Sequence, residues 1–422
     1  MDSYHIIGGN RIFGSHKLTG AKNGVLPILA ASLVTGDVCT IHNSPDLLDV
    51  NTMLAILKEL GCKIQREKDA IVVDSSQLTQ TYIPKVLGKE MRSSVFLLGP
   101  MLTRCGVVEM SQPGGCAIGA RPIDLHLDAL RKMGAEIKEE DGSLVCKSTG
   151  LKGTTIRLDF PSVGATENIM MAALSAEGET HIVHPAKEPE IEDLQNFLNA
   201  CGSCVEGAGT GEIVISGKKP LHGTDYKVIP DRIEAGTFLA AAAATKGELL
   251  LENAAPAQMA STLAKFREMG CSLKIEQDKI YLKAPNRLKA IREIKTLPYP
   301  GFPTDMQSQF LTLMALADGQ SKMTETIFEN RFKHIDSLRD MGAIIEICGC
   351  SAKVTGVDQL QGCRVEAKDL RGGAAMVIAG LAASDETIVE NICHIDRGYD
   401  KFEVALKNLG TKIERIQEDE RK

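Results

Sequence analysis

Five short stretches of this sequence carry residue types that packing does not ask for. In SQPGGCAIGARP, Cys116 follows two glycines and precedes a third, and Arg121 closes what reads as a loop. Free cysteine is usually buried, so a loop cysteine is either a structural thiol or a positioned reagent. A neighbouring cation favours the thiolate and makes the group a nucleophile or a tunable acid. In GAKNGVLP, Lys22 and Asn23 stand at the mouth of an apolar segment. A lysine opposes the dipole at a helix N-terminus, and an anion shared with the backbone N–H groups would resolve the conflict; the alternative is a solvated surface lysine. YPGFPTDMQSQF puts Asp305 on a rigid turn before a helix, as an N-cap or as a general base. KDLRGGAA supplies Asp369 and Arg371, and HIDRGYDKFE supplies Arg397. Arginine suits bidentate binding of carboxylate or phosphate, although single charges on turns are ordinarily just solvated. Taken together, cations from both halves of the chain, one thiol and one carboxylate predict a small substrate bearing phosphate and carboxylate groups. The sequence has no Walker loop, no dinucleotide-binding GxGxxG unit and no clustered metal ligands.

The elements that must position these groups are legible from an internal repeat. Leu-x-x-x-Gly-x-x-(apolar) occurs six times: LKELGCKI, LRKMGAEI, LNACGSCV, FREMGCSL (Phe for Leu), LRDMGAII and LKNLGTKI. The glycines, Gly61, Gly134, Gly202, Gly270, Gly342 and Gly410, recur at roughly seventy residues. Each copy follows an Ala/Leu/Met-rich stretch such as TFLAAAAATKGELLLEN, which predicts a helix buried on nearly all sides and then a short strand. A second, amphipathic helix ends at the motif glycine in a left-handed cap. Alternation as in CKIQREKDAIVV then predicts a β-hairpin.

The repeating unit is therefore βαβαββ. A helix buried on every side must be shared with neighbouring units, so three units around a common helical core form a domain. The predicted fold is α/β, with two three-repeat domains. Residues 22–229 form the first, carrying the Cys116 loop, and residues 1–21 with 230–422 form the second. The two crossings, near Thr19–Lys22 and Val228–Asp231, predict a hinge and a cleft that closes on its ligand.

Composition bounds the alternatives. With 422 residues, 43% apolar and 24% charged, the chain suits a folded multi-domain protein. No apolar run reaches the length of a membrane helix, and the N-terminus has no basic segment followed by an apolar one, so a cytoplasmic location is expected. Twelve cysteines scattered without a CxxC pair read as reduced thiols. A net charge of −7 argues against nucleic acid as the main partner. No membrane association and no obligate protein partner are indicated.

Six longer motifs carry a resemblance: GAKN, PGGCAIGARPIDLH, PSVGATENIMMAA, PYPGFPTDMQ, TETIFENRF and HIDRGYDK. In these, and in their order from about Gly20 to the C-terminus, the chain resembles the UDP-N-acetylglucosamine 1-carboxyvinyltransferases, enolpyruvyl transferases of bacterial peptidoglycan synthesis. The resemblance implies an inside-out α/β barrel pair built from six repeats. It also implies transfer of the enolpyruvyl group of phosphoenolpyruvate to the 3′-hydroxyl of UDP-N-acetylglucosamine, with release of phosphate. The reaction runs by addition and elimination through a tetrahedral ketal, without metal or organic cofactor.

Residue by residue, Cys116 matches the family's thiol, a proton donor to the methylene carbon that can form an adduct with phosphoenolpyruvate and is alkylated by fosfomycin. Asp305 matches the carboxylate that takes the hydroxyl proton. Lys22, Arg121 and Arg397 match the cations that hold phosphate and carboxylate, with Asn23 beside the sugar. Arg92, the segment Arg121, Pro122, Ile123, Asp124 and Leu125, the turn Ser162, Val163 and Gly164, and Asp305 and Ile327 match UDP-sugar contacts. Arg331, Asp369 and Arg371 match residues lining the same site.

Three positions depart from the family pattern. Gly24 stands where alanine is common, Phe160 where a polar residue can occur, and Gly372-Gly373 is expected to loosen the start of the last helix. Three rival readings remain: the sister enolpyruvyl transferase of the shikimate pathway, a non-catalytic UDP-sugar sensor, and an RNA-end-modifying enzyme of related architecture. The thiol-bearing loop, the full set of charged groups and the acidic balance argue against them in turn.

Overall fold

The structure is a computed structural model that describes residues 2–111, 123–140 and 142–417. It divides into two compact units, one holding residues 20–229 and the other residues 2–19 with 230–417, in each case as far as they are described.

In the first unit, three inner helices, Lys22–Ala31, Leu98–Cys105 and Val163–Ala173, sit in the core, and nearly every residue of the first and third is buried. Each is followed by a strand, an outer helix and a hairpin, as the apolar patterning requires. The third repeat shows the plan without additions. Thr155–Arg157 leads into the inner helix, Glu179–Val183 returns, Pro189–Ala200 covers the outside, and Cys204–Glu206 with Glu212–Ser216 closes the hairpin. Its sheet runs Thr155–Arg157, Glu179–Val183, Glu212–Ser216, Cys204–Glu206, with the first pair parallel and the other two antiparallel. The second repeat inserts a short helix, Lys85–Glu90, and a 3-10 turn, Arg92–Leu97, ahead of its inner helix. Asp225–Lys227, at the end of the third repeat, pairs parallel with Val38–His42 of the first and closes the ring of three.

The second unit repeats the scheme around inner helices Arg232–Ala244, Gln307–Ala315 and Leu370–Ala382, which pack against one another. Its first residues supply two strands. Phe13–Lys17 pairs parallel with Glu248–Glu252, and Ser3–Ile7 lies between Glu386–Glu390 and Lys412–Ile416, antiparallel to both.

All six motif glycines adopt left-handed backbone, with φ between 89° and 108°. A side chain there would be strained, which is why glycine recurs at these helix ends.

Candidate active site

In the second unit the fold gathers Asp305, Arg331 and Arg371. Asp305 sits in the 3-10 turn Thr304–Met306 ahead of the inner helix, and it does not cap that helix. Its Oδ1 accepts from Arg331 Nη2 at 2.7 Å and its Oδ2 from Arg371 Nη2 at 3.3 Å. Both arginines are buried, while Asp305 keeps 26% of its side chain exposed. Burial alone would raise the Asp305 pKa, but Arg371, Arg331 and Arg232 outweigh it and hold the carboxyl well below the usual range. The group is therefore an anion at every working pH.

Neighbouring elements fix this arrangement. Asp369 is the N-cap of the last inner helix, its Oδ1 accepting from Arg371 N at 3.0 Å and Gly372 N at 2.9 Å. The cap sets the first turn from which Arg371 projects. Glu325, 3% exposed, accepts from Thr304 Oγ1 at 2.9 Å, Thr296 Oγ1 at 2.8 Å and Ile327 N at 2.7 Å. One buried carboxylate thus ties the turn bearing Asp305 to the one bearing Ile327. His334 is 1% exposed beside Asp369 and Arg331, and burial pushes its imidazole down to about 4 against the pull of Asp369, so it is neutral at pH 7. Arg397 ends the short helix Cys393–Asp396, two residues before Tyr399, whose hydroxyl accepts from Arg371 Nη1 at 3.1 Å.

Gly372 and Gly373 do not loosen the helix start. A Cβ on Gly372 would come within 2.9 Å of Asp369 Oδ2, and one on Gly373 within 2.8 Å of Ala367 Cβ and 2.9 Å of Ile395 Cγ1. They are glycine because neighbouring groups approach closely, which the sequence alone did not reveal.

In the first unit Lys22 opens its inner helix as expected, 7% exposed, with no acidic residue in the first turn and no side-chain cap. Its Nζ lies 2.6 Å from Oδ2 of Asp49, itself 4% exposed, at the start of the outer helix Leu48–Glu59. A carboxylate of the protein thus supplies negative charge at the helix mouth, where an external anion was expected. Asn23 follows in the same turn. Gly24 faces Asp193, and an added Cβ would stand 3.0 Å from Asp193 Oδ2.

Ser162 caps the third inner helix by accepting from Ala165 N at 3.4 Å, so Ser162, Val163 and Gly164 form its first turn. That turn meets the helix Asp124–Lys132. A Cβ on Gly164 would lie 3.1 Å from His126 Cε1, and His126 Nδ1 pairs with Asn168 Nδ2 at 2.8 Å. Ile123 and Leu125 are half-buried at the start of that helix, Asp124 is exposed, and Arg92 opens the inserted 3-10 turn. Phe160 is 44% exposed just ahead of this turn. Cys116, Arg121 and Pro122 lie outside the described residues.

Sequence reasoning missed Asp49, Glu325, His334 and Tyr399. Asp49 and Glu325 are ordinary acidic residues until tertiary packing brings their partners, and no local spacing marks them. Tyr399 lies inside the HIDRGYDK motif but carries no charge, so it drew no notice.

A family model described as EPSP synthase (3-phosphoshikimate 1-carboxyvinyltransferase) matches residues 6–406, and the chain belongs to that family of enolpyruvyl transferases. Within it, the similarity runs to the UDP-N-acetylglucosamine 1-carboxyvinyltransferases. The chain is 51% identical to UDP-N-acetylglucosamine 1-carboxyvinyltransferase 2 of Caldanaerobacter subterraneus, over 99% of this chain and 100% of the relative. It is 47% identical to UDP-N-acetylglucosamine 1-carboxyvinyltransferase 1 of Staphylococcus aureus, with the same shares of both chains covered. Among solved structures, the enolpyruvyl transferase NikO from Streptomyces tendae matches with a TM-score of 0.89 at 25% identity, covering 98% of each chain. EPSP synthase from Acinetobacter baumannii matches at 0.78 and 21%, covering 99% of this chain and 100% of that one, a likeness of fold. The enolpyruvyl transferase fold implied by the resemblance, with its six repeats, is thus the observed one. Among the described residues no helix is long and apolar enough to cross a membrane.

Proposed function

We infer that this chain transfers the enolpyruvyl group of phosphoenolpyruvate to UDP-N-acetylglucosamine with release of phosphate, a reaction of peptidoglycan synthesis. The observation that carries this reading is identity near one half, along the whole chain, to enzymes named for that reaction. The shikimate-pathway rival rests on the family description and on a structural likeness at 21% identity, which speaks for the fold alone.

The 3′-hydroxyl adds to the central carbon of phosphoenolpyruvate while an acid protonates its methylene carbon to a methyl group. The tetrahedral ketal then loses a proton from that methyl group and expels phosphate, restoring the double bond. Cys116 is the acid of the addition and Asp305 accepts the proton of the hydroxyl. Lys22, Arg121 and Arg397 hold the phosphate and carboxylate of the three-carbon donor, and Asn23 stands beside the sugar. Arg92, Pro122, Ile123, Asp124, Leu125, Ser162, Val163, Gly164 and Ile327 contact the UDP-sugar, while Arg331, Asp369 and Arg371 line the site. Supporting these roles are the matching motifs and, for Asp305, the two guanidiniums that keep it anionic and aimed. Fixed cations on a doubly anionic donor lower the barrier by preorganisation, about 3 kcal/mol for one well-aimed donor. The enzyme works in the cytoplasm.

The test is phosphate release from phosphoenolpyruvate, first with UDP-N-acetylglucosamine and then with shikimate 3-phosphate. Release with the first alone is expected; release only with the second, or with neither, overturns the reading. With UDP-N-acetylglucosamine present, fosfomycin should add its mass to the Cys116 peptide. Cys116→Asp should keep measurable turnover, whereas Cys116→Ala should lose about a hundredfold or more. An alanine variant as fast as the parent would remove the thiol from the mechanism.

A further inference from the structure

Arg371 is held from behind by a buried hydrogen-bond chain that crosses all three inner helices of the second unit. Tyr399, 3% exposed, accepts from Arg371 Nη1 at 3.1 Å, and its hydroxyl lies 2.8 Å from Thr237 Oγ1 on the helix Arg232–Ala244. Thr237 Oγ1 also lies 2.8 Å from the carbonyl of Ile233, to which it donates, and 3.0 Å from Gln309 Nε2 on the helix Gln307–Ala315, from which it accepts.

A hydroxyl has one proton and two lone pairs. The assignment that uses every proton in this hub gives the Thr237 proton to Ile233, so Thr237 accepts from both Gln309 and Tyr399. The Tyr399 proton is thereby spent on Thr237, and its oxygen is left as an acceptor for Arg371. Burial raises the Tyr399 pKa, partly offset by Arg371, so the hydroxyl stays neutral at working pH and the direction of the chain does not reverse. Arg371 Nη1 is committed to Tyr399, and Nη2 is the nitrogen aimed at Asp305 Oδ2. The ring adds a second restraint: the Arg371 Cζ lies 5.5 Å from its centroid, and the ring stacks on Phe402 at 4.6 Å.

We propose that Tyr399 is a positioning residue for the transfer reaction, fixing the Arg371 guanidinium and through it the direction of the Asp305 carboxylate. Thr237 and Gln309 lock Tyr399 in turn. The assignment of a reaction role rests on the proposed function of Asp305; the geometry of the chain does not. The other charged groups facing this pair are Arg331 and Arg232 around Asp305, and Asp231 beside Arg371, with His334 neutral nearby. None of them occupies Arg371 Nη1 in place of Tyr399.

The experiment compares Tyr399→Phe and Thr237→Val with the parent, by steady-state kinetics and by crystal structures of the full chain. Tyr399→Phe keeps the ring and its stacking but removes the acceptor. Its kcat should fall about tenfold, the worth of one hydrogen bond to a charged group, with KM for both substrates within about twofold. Thr237→Val leaves the Tyr399 hydroxyl in place without its lock and should give a smaller loss in the same direction. In the Tyr399→Phe crystal, Arg371 Nη2 should have left Asp305 Oδ2. An Arg371 unmoved from Asp305, or a Tyr399→Phe variant with the parent's kcat, overturns the proposal. If the parent releases no phosphate with UDP-N-acetylglucosamine, the function fails on its own, and the position of Arg371 in the variant crystal still decides the positioning.

Discussion

Asp305 illustrates a tension that only side-chain geometry exposes. A general base works best with a pKa near the working pH, and three arginines, Arg371, Arg331 and Arg232, hold this carboxylate far below it. It is always deprotonated and always weakly basic, so the hydroxyl proton in the proposed reaction moves late, once bonding to carbon has made that proton acidic. Glu167 shows the opposite shift. It is fully buried in the helix Val163–Ala173, neither carboxyl oxygen has a hydrogen-bond partner among the described residues, and burial with nearby Glu190 and Glu188 raises its pKa well above 4.5. A raised folded pKa means the folded chain keeps a proton that the unfolded chain loses, so this group's contribution is full below about pH 4.5 and wanes as pH rises. Glu167→Gln removes that linkage. By calorimetry, the drop in Tm from pH 5 to pH 8 should shrink by roughly 2–4 °C for each kcal/mol removed; an unchanged drop would refute the assignment. At this scale the sequence yielded the charged members of the site because their types stand out on turns. It withheld Asp49, the partner of Lys22, because the pair forms only when two helices pack.

Among the elements, what could be read in advance was what backbone conformation alone demands. The six glycines had to be glycine because each ends a helix in left-handed geometry, a local requirement that leaves its mark in spacing. Gly372-Gly373 was misread because its reason is a close approach by the cap residue Asp369, by Ala367 just before the helix and by Ile395 from a later element. Gly373→Ala should therefore cost stability despite alanine's better helix propensity: about 1–3 kcal/mol from overpacking against about 1 kcal/mol gained. Urea denaturation monitored in the second unit would read the net loss, and a stabilised variant would show that Ile395 can yield. Asp305 as an N-cap fails for a similar reason, since a 3-10 turn intervenes before the helix and the arginines claim both oxygens.

For the molecule as a whole, periodicity in the chain announced the number of repeats and the order of strands and helices, because each repeat must bury the same faces. It assigned the first residues to the second domain but could not announce which strands they supply. Ser3–Ile7 takes the place of one hairpin strand in the last sheet, and Phe13–Lys17 supplies the parallel strand of another. Deleting residues 1–17 should leave the first unit folded and open two sheets of the second. Hydrogen exchange would then show lost protection at Leu250 and Val389 and retained protection at Ile182; retained protection at all three would contradict this account.

The strand Ser3–Ile7 has a consequence for synthesis. The ribosome makes it before its pairing partners, Glu386–Glu390 and Lys412–Ile416, which emerge only after the residues between have been made. Residues 20–229 can fold during translation, while the opening strand waits with a bare edge on each side. Slow translation of the last repeats would lengthen that wait, and aggregation of nascent chains should rise with it.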